Sequence, residues 1–157
     1  MTVVKKEYAI GTTNEECQLV VAGTICRVGI TSGFDSKVAL GFGQDSAFWS
    51  GVSEIAASSL ESVDVYVGTF NGLTNGAEYK LYKNGVLQNS TTGSYFSHVT
   101  ATCVVLNQRY ISASGDNYNK NPVLLGAIWK EILSPSKIAE LSSDVGRPWS
   151  LFAPLPA

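Results

Sequence analysis

The sequence predicts an all-β fold, an antiparallel β-sandwich or jelly roll that carries one short helix near its C-terminal end. Three observations predict it. Runs of β-branched and aromatic residues recur along the chain, parted by turn residues at intervals of roughly eight to twelve positions. Glu78-Tyr79-Lys80-Leu81-Tyr82-Lys83 alternates polar and apolar residues, breaks at Asn84-Gly85 and resumes as Val86-Leu87-Gln88. Asn-Gly between two such runs signals a hairpin, because a type I′ turn needs positive φ at both central residues and these two residues tolerate it. Charged residues are 15% of the 157 positions, and 15 glycines punctuate the rest; that balance suits short strands joined by tight turns.

Taken in order, residues 3–10 read as a first strand closed by Gly11-Thr12-Thr13-Asn14. Residues 18–22 and 24–31 are β-branched runs parted by Gly23, and residues 37–42 resume a strand after a cluster of turn residues. The stretch 43–62 admits two readings, a strand through Ala47-Phe48-Trp49 or a helical turn over residues 53–60. Residues 62–70 form a strand by propensity and alternation, with Val63, Val65, Val67 and Thr69 on one face and Asp64, Tyr66, Gly68 and Phe70 on the other. The valine face must be core. After the hairpin, a loop is expected at Thr91-Thr92-Gly93-Ser94, then strands around 99–106 and 109–113, a polar loop to Pro122 and a long apolar run over 123–133. A helix over about 135–143 is well signalled: Ser134 caps it, Pro135 takes the first position, Ile138, Leu141 and Val145 form an apolar stripe, and Gly146 ends it. One domain therefore spans 1–146, followed by a proline-framed apolar tail over 147–157.

Composition excludes several classes of function. Net charge is −2 and the basic residues are dispersed, so no electrostatic footprint for nucleic acid exists. No apolar run after Met1 has the length of a signal peptide or membrane span, and synthesis in the cytoplasm without membrane insertion is expected. Cys17, Cys26 and Cys103 are odd in number and lack C-x-x-C spacing, which fits small buried hydrophobes rather than a disulfide framework. The single histidine, His98, has no nucleophile motif around it, and no glycine-rich phosphate loop is present.

Thr69-Phe70-Asn71-Gly72, a short spacer and then Tyr79 to Val86 resemble the centre of LamG-like domains. In that concanavalin A-like lectin and glucanase superfamily, a strand ending in a T-[YF]-[DN]-G turn leads into an L-Y-x-[ND]-G hairpin. Leu125-Gly126-Ala127-Ile128-Trp129-Lys130-Glu131-Ile132-Leu133-Ser134-Pro135, continuing to Leu141, is similar to the family's closing strand and helix. The ending Pro148-Trp149-Ser150-Leu151-Phe152-Ala153-Pro154 resembles those of LamG-like domains in phage and prophage virion proteins. The resemblance covers roughly the C-terminal half. It implies a jelly roll serving as a structural or surface module of a phage particle, such as a decoration, fibre or tail-associated protein, in contact with other virion proteins or a second copy. An adhesion module that binds surface carbohydrate is the alternative it implies.

Each site class then has its candidates. The superfamily's glycosidases place acids at i, i+2 and i+4 on one strand. Glu61 and Asp64 are three apart and so point to opposite faces, and Glu131 stands alone on its strand, so no catalytic residue is expected. A glycan face is drawn from Asp64, Tyr66 and Phe70, joined by Tyr110 and Trp49, because sugars need aromatic faces beside hydrogen-bonding groups. Trp129 is a further candidate for that face, and packing into the core beside Ile128 is the favoured reading. The family often holds Ca²⁺ on rim loops, where Asp116, Asn117 and Asp45 offer oxygen ligands; a plain polar loop is the competing reading. In the tail, Trp149, Leu151 and Phe152 dock either on their own domain or into a partner.

Overall fold

A computed structural model describes residues 1–5, 16–22, 26–33, 37–44, 50–56, 62–71, 77–93, 103–106 and 121–143. Among them run ten strands and one helix: β1 (Thr2–Lys5), β2 (Glu16–Ala22), β3 (Cys26–Gly33), β4 (Lys37–Gln44), β5 (Ser50–Ala56), β6 (Val63–Asn71), β7 (Ala77–Lys83), β8 (Val86–Gly93), β9 (Cys103–Leu106), β10 (Val123–Gly126) and α1 (Pro135–Ser143). The strands form two five-stranded sheets, ordered β10-β1-β6-β7-β8 and β5-β4-β3-β2-β9. Every pairing is antiparallel. The fold is all-β with one short helix, as the strand signals predict.

The hairpin forms where Asn-Gly requires it. Asn84 has φ 51° and Gly85 φ 82°, so both central residues of the β7–β8 turn are left-handed. β8 continues through Thr91, Thr92 and Gly93, which the sequence reading assigned to a loop. Two further expectations are corrected. Residues 53–56 lie in β5, paired to β4 from Val38↔Ile55 to Leu40↔Ser53, and are not a helical turn. The apolar run that starts at Val123 leaves the sheet after Gly126, which pairs with Thr2, the first residue of β1.

β6 is the middle strand of its sheet, and both its faces are covered. Tyr66 joins Tyr79 and Leu81 of β7, Val4 of β1, and Ile30, Val38 and Leu40 of the other sheet in one buried cluster. Val65 and Val67 join Val3, Tyr82 and Ile138 of α1 in a second. A nine-residue helix is marginal alone, so the docking of Ile138, which is fully buried, is what holds α1 in place. Its N-terminus is fastened as the sequence indicates: Ser134 Oγ accepts from Lys137 N at 3.2 Å, and the Ile138 N–H donates to Ser134 O at 2.9 Å. Leu141 is half-buried, Ser142 is buried, and Val145 and Gly146 lie outside the described residues.

Helix and hairpin meet at Gly85. A Cβ there would lie 3.0 Å from Ala139 Cα and 3.3 Å from Ser142 Cβ. The Ser142 hydroxyl is buried at this contact without a hydrogen-bond partner. Two substitutions should therefore move stability in opposite directions in urea titrations. Gly85→Ala combines left-handed strain with a clash against helix backbone and should cost about 1–3 kcal/mol. Ser142→Ala removes an unsatisfied hydroxyl and improves helix propensity, and should leave the protein equally stable or up to about 1 kcal/mol more so. A destabilised Ser142→Ala protein would mean that the hydroxyl is bonded.

Candidate functional site

A recess among the described residues lies beside the part of β6 that β1 does not pair, past Thr2↔Tyr66. β1 pairs with β6 only from Lys5↔Val63 to Thr2↔Tyr66. β6 continues to Asn71, paired there with β7 on one side and, among the described strands, with none on the other. The segment after β10 passes this end, tied to the chain's first residue: the Met1 amino group donates to Ala127 O at 2.8 Å, and Ala127 N donates to Met1 O at 3.0 Å. Between these parts lies a cavity of about 300 Å³, with Ile30 and Leu40 at its base, Val67 to Phe70 along one wall and Ala127 to Leu133 along the other.

Local sequence explains its shape. Gly68 lets Leu40 pack directly against the β6 backbone at the base: a Cβ there would fall 2.6 Å from Leu40 Cδ1. Phe70 packs on Tyr79 with ring centroids 5.0 Å apart. On the opposite wall, Ile128, Trp129 and Ile132 are 49%, 36% and 55% exposed, and Lys130 and Glu131 are exposed among them. Such an arrangement can grip apolar matter and offer one ammonium and one carboxylate at its edge. Glu131 is the single carboxylate among the described lining residues, so the lining presents no acid pair of the kind glycoside hydrolysis uses.

Of the residues expected to form a glycan face, Phe70 lines this recess, whereas Asp64 and Tyr66 do not. Asp64 and Tyr66 are 4% and 2% exposed, and Phe70 is half-buried against the inter-sheet cluster, so Asp64 and Tyr66 offer no open face to a sugar. The reason is that β6 is central and covered on both sides, so its polar face points toward the other sheet. Asp64 is instead the hub of a polar cluster. Its carboxylate accepts from Ser62 Oγ at 3.0 Å, Asn84 Nδ2 at 3.0 Å and the Tyr66 hydroxyl at 3.3 Å, with Lys83 Nζ at 3.7 Å. Asn84 answers with its own oxygen, which accepts from Val65 N at 2.8 Å, while its backbone N–H donates to Val65 O at 2.8 Å. The turn is thereby bolted to β6, about twenty residues earlier in the chain.

Trp49 and Tyr110, the calcium candidates Asp45, Asp116 and Asn117, and the tail residues Trp149, Leu151 and Phe152 lie outside the described residues, as do Glu61 and His98. Among the described residues, no group of three His, Cys, Asp or Glu could hold a metal ion. The groove residues that sequence reasoning missed are Trp129, expected in the core, together with Ile132 and Met1. One signal was available. Ile128-Trp129-Lys130-Glu131-Ile132-Leu133 alternates in pairs rather than singly, which is not the pattern of a strand with one buried face.

Electrostatics are perturbed at the groove's edge. Burial lowers the Met1 amino group from 8.0 to about 5. Burial also raises the Tyr79 hydroxyl, while a hydrogen bond from Lys80 to Glu78, within a 2.9 Å ion pair, raises the lysine. No family model matches this chain, and no curated protein matches it.

The Met1 shift yields a pH dependence for protein whose chain begins with a free amino group there. Between pH 8 and about 5 the unfolded chain binds the proton that the folded one resists, so stability falls as pH falls through this window. Three units correspond to at most about 4 kcal/mol. Urea titrations at pH 8 and pH 5.5 should show a loss in the free form that Nα-acetylated protein lacks. An equal loss in both forms would place the dependence elsewhere.

Proposed function

We propose that this chain is a non-catalytic LamG-like jelly-roll module of a phage particle or prophage-encoded structure, acting through protein contacts made at the groove beside Trp129. Several features support the fold part of this reading. Two antiparallel sheets contribute to one cluster through Ile30, Val38 and Leu40 on one side and Tyr66, Tyr79 and Leu81 on the other. β1 sits beside β10, so the first and last of the described strands share one sheet. The Leu81-Tyr82-Lys83-Asn84-Gly85 hairpin and the Ser134-Pro135 helix start fall where the family pattern would have them.

The observation that carries the functional part is the exposed trio Ile128, Trp129 and Ile132 on the rim of an apolar recess. Large exposed apolar side chains grouped at a concavity, with charged neighbours, are the composition of a protein-contact patch. Other virion proteins or a second copy of this chain are the partners in this reading, and the protein is made in the bacterial cytoplasm. A second reading has its own observation. The half-open indole of Trp129 stands in a run with Lys130 and Glu131, and a ring next to hydrogen-bonding groups is how glycans are held. The calcium such a module often carries would fall to Asp45, Asp116 and Asn117.

The test is a pull-down from native particles, with light scattering for self-association and a glycan array run with and without calcium. The variant is Trp129→Ala combined with Ile132→Ala. Both side chains are exposed, so its urea midpoint should change by no more than about 1 kcal/mol. Partner capture or self-association that the variant loses supports the proposal. A strict monomer that captures no particle protein contradicts it, and specific array binding lost with Trp129 would favour the lectin reading.

A further inference from the structure

The chain contains three Asn-Gly pairs, Asn71-Gly72, Asn75-Gly76 and Asn84-Gly85. Asn-Gly is the dipeptide most open to spontaneous rearrangement, because glycine leaves the following backbone nitrogen unobstructed. In this reaction the Gly85 nitrogen attacks Asn84 Cγ and the Cγ–Nδ2 bond breaks. Ammonia leaves with the proton that nitrogen gave up, and a succinimide ring remains. Water then opens the ring at either carbonyl, giving aspartate or isoaspartate at position 84.

We propose that Asn84 is a modification site of this kind, held in check by the native fold, and that its modification unlatches the β7–β8 hairpin from β6. For attack, the Asn84 side chain must swing its Cγ onto the Gly85 nitrogen. Both ends of that amide are held: Oδ1 by the Val65 N–H at 2.8 Å and Nδ2 by Asp64 Oδ1 at 3.0 Å. Gly85 is itself wedged under Ala139 and Ser142 of α1. Asn84 is nonetheless exposed, so water reaches it once the clamp opens.

The products undo what the asparagine does. Aspartate at position 84 would replace the N–H donor with an oxygen about 3 Å from Asp64, setting two carboxylates together where Asp64 is 4% exposed. The Lys83 ammonium, 3.7 Å from Asp64, would face both. Isoaspartate would instead add a methylene to the backbone of the tightest turn described, breaking the Lys83↔Val86 pairing that closes it.

Peptide mapping by mass spectrometry during incubation at pH 8.5 tests the first half of the proposal. In urea-denatured chain all three Asn-Gly sites should convert at similar rates. In native protein, conversion at Asn84 should be slower by about tenfold or more, because reaction must wait for local opening. Asp64→Ala, checked for fold by circular dichroism, should bring the native rate part-way back. Equal native and denatured rates at Asn84 would overturn the proposal even if that variant fails to fold. The second half is read from Asn84→Asp against Asn84→Gly, since glycine also accepts the turn but adds no charge. Asn84→Asp should unfold at the lower urea concentration; an order reversed, or a variant as stable as the native chain, would contradict unlatching.

Discussion

The bond between the Asp64 carboxylate and the Asn84 amide is the constraint on which the described half of this architecture rests. A hairpin turn needs only its own φ angles to form, but nothing local decides where its tip must lie. Here the tip is tied three ways to β6: side-chain amide to Asp64, side-chain oxygen to Val65 N, and backbone N–H to Val65 O. With the tip fixed, Gly85 offers a flat seat for Ala139 and Ser142, and Ile138 drops into the second cluster beside Val65 and Val67. Removing Asn84 would leave the buried Asp64 carboxylate short of that bond, which costs more than the bond contributes.

A strand covered on both faces has a further consequence. β6 presents no binding face between Val63 and Tyr66, where β1 and β7 flank it, since one side belongs to the inter-sheet cluster and the other to α1. Along β6, space for a partner arises among the described residues past Tyr66, where β1 no longer pairs and β6 runs on to Asn71. The recess there is bounded by a segment that belongs to no strand, residues 127–133, which frees Trp129 and Ile132 to face outward. In this view the groove lies beside the stretch of β6 that β1 does not pair, and the exit of the chain from β10 furnishes its rim.

Local chemistry made much of this legible. Asn84-Gly85 announces its turn because few other residues accept φ near +50° to +80°, and Ser134-Pro135 announces the helix start because both residues act within one turn. The alternation in β6 was equally plain, yet it said only that two faces differ. That Asp64 and Tyr66 are interior depends on partners from β1, β7, the turn and the other sheet, and the bond from Asn84, twenty residues away, leaves no mark in the sequence around Asp64. Trp129 was misplaced for a related reason: a long apolar run reads as a buried strand until it is known where its neighbour stops. The groove depends on strand ends, which pattern locates poorly; the residues around it were visible and their exposure was not.

A double-mutant cycle on Asp64 and Asn84 tests the central claim most directly. Urea unfolding of Asp64→Ala, Asn84→Ala and the double variant isolates the energy that the pair shares. The account predicts a coupling of about 1.5–3 kcal/mol, as befits a hydrogen bond to a charged and buried carboxylate. It also predicts that each single variant loosens α1 along with the hairpin, seen as faster amide exchange at Ile138. Effects that simply add, with Ile138 exchange unchanged, would contradict the claim that this latch holds the turn, the strand and the helix together.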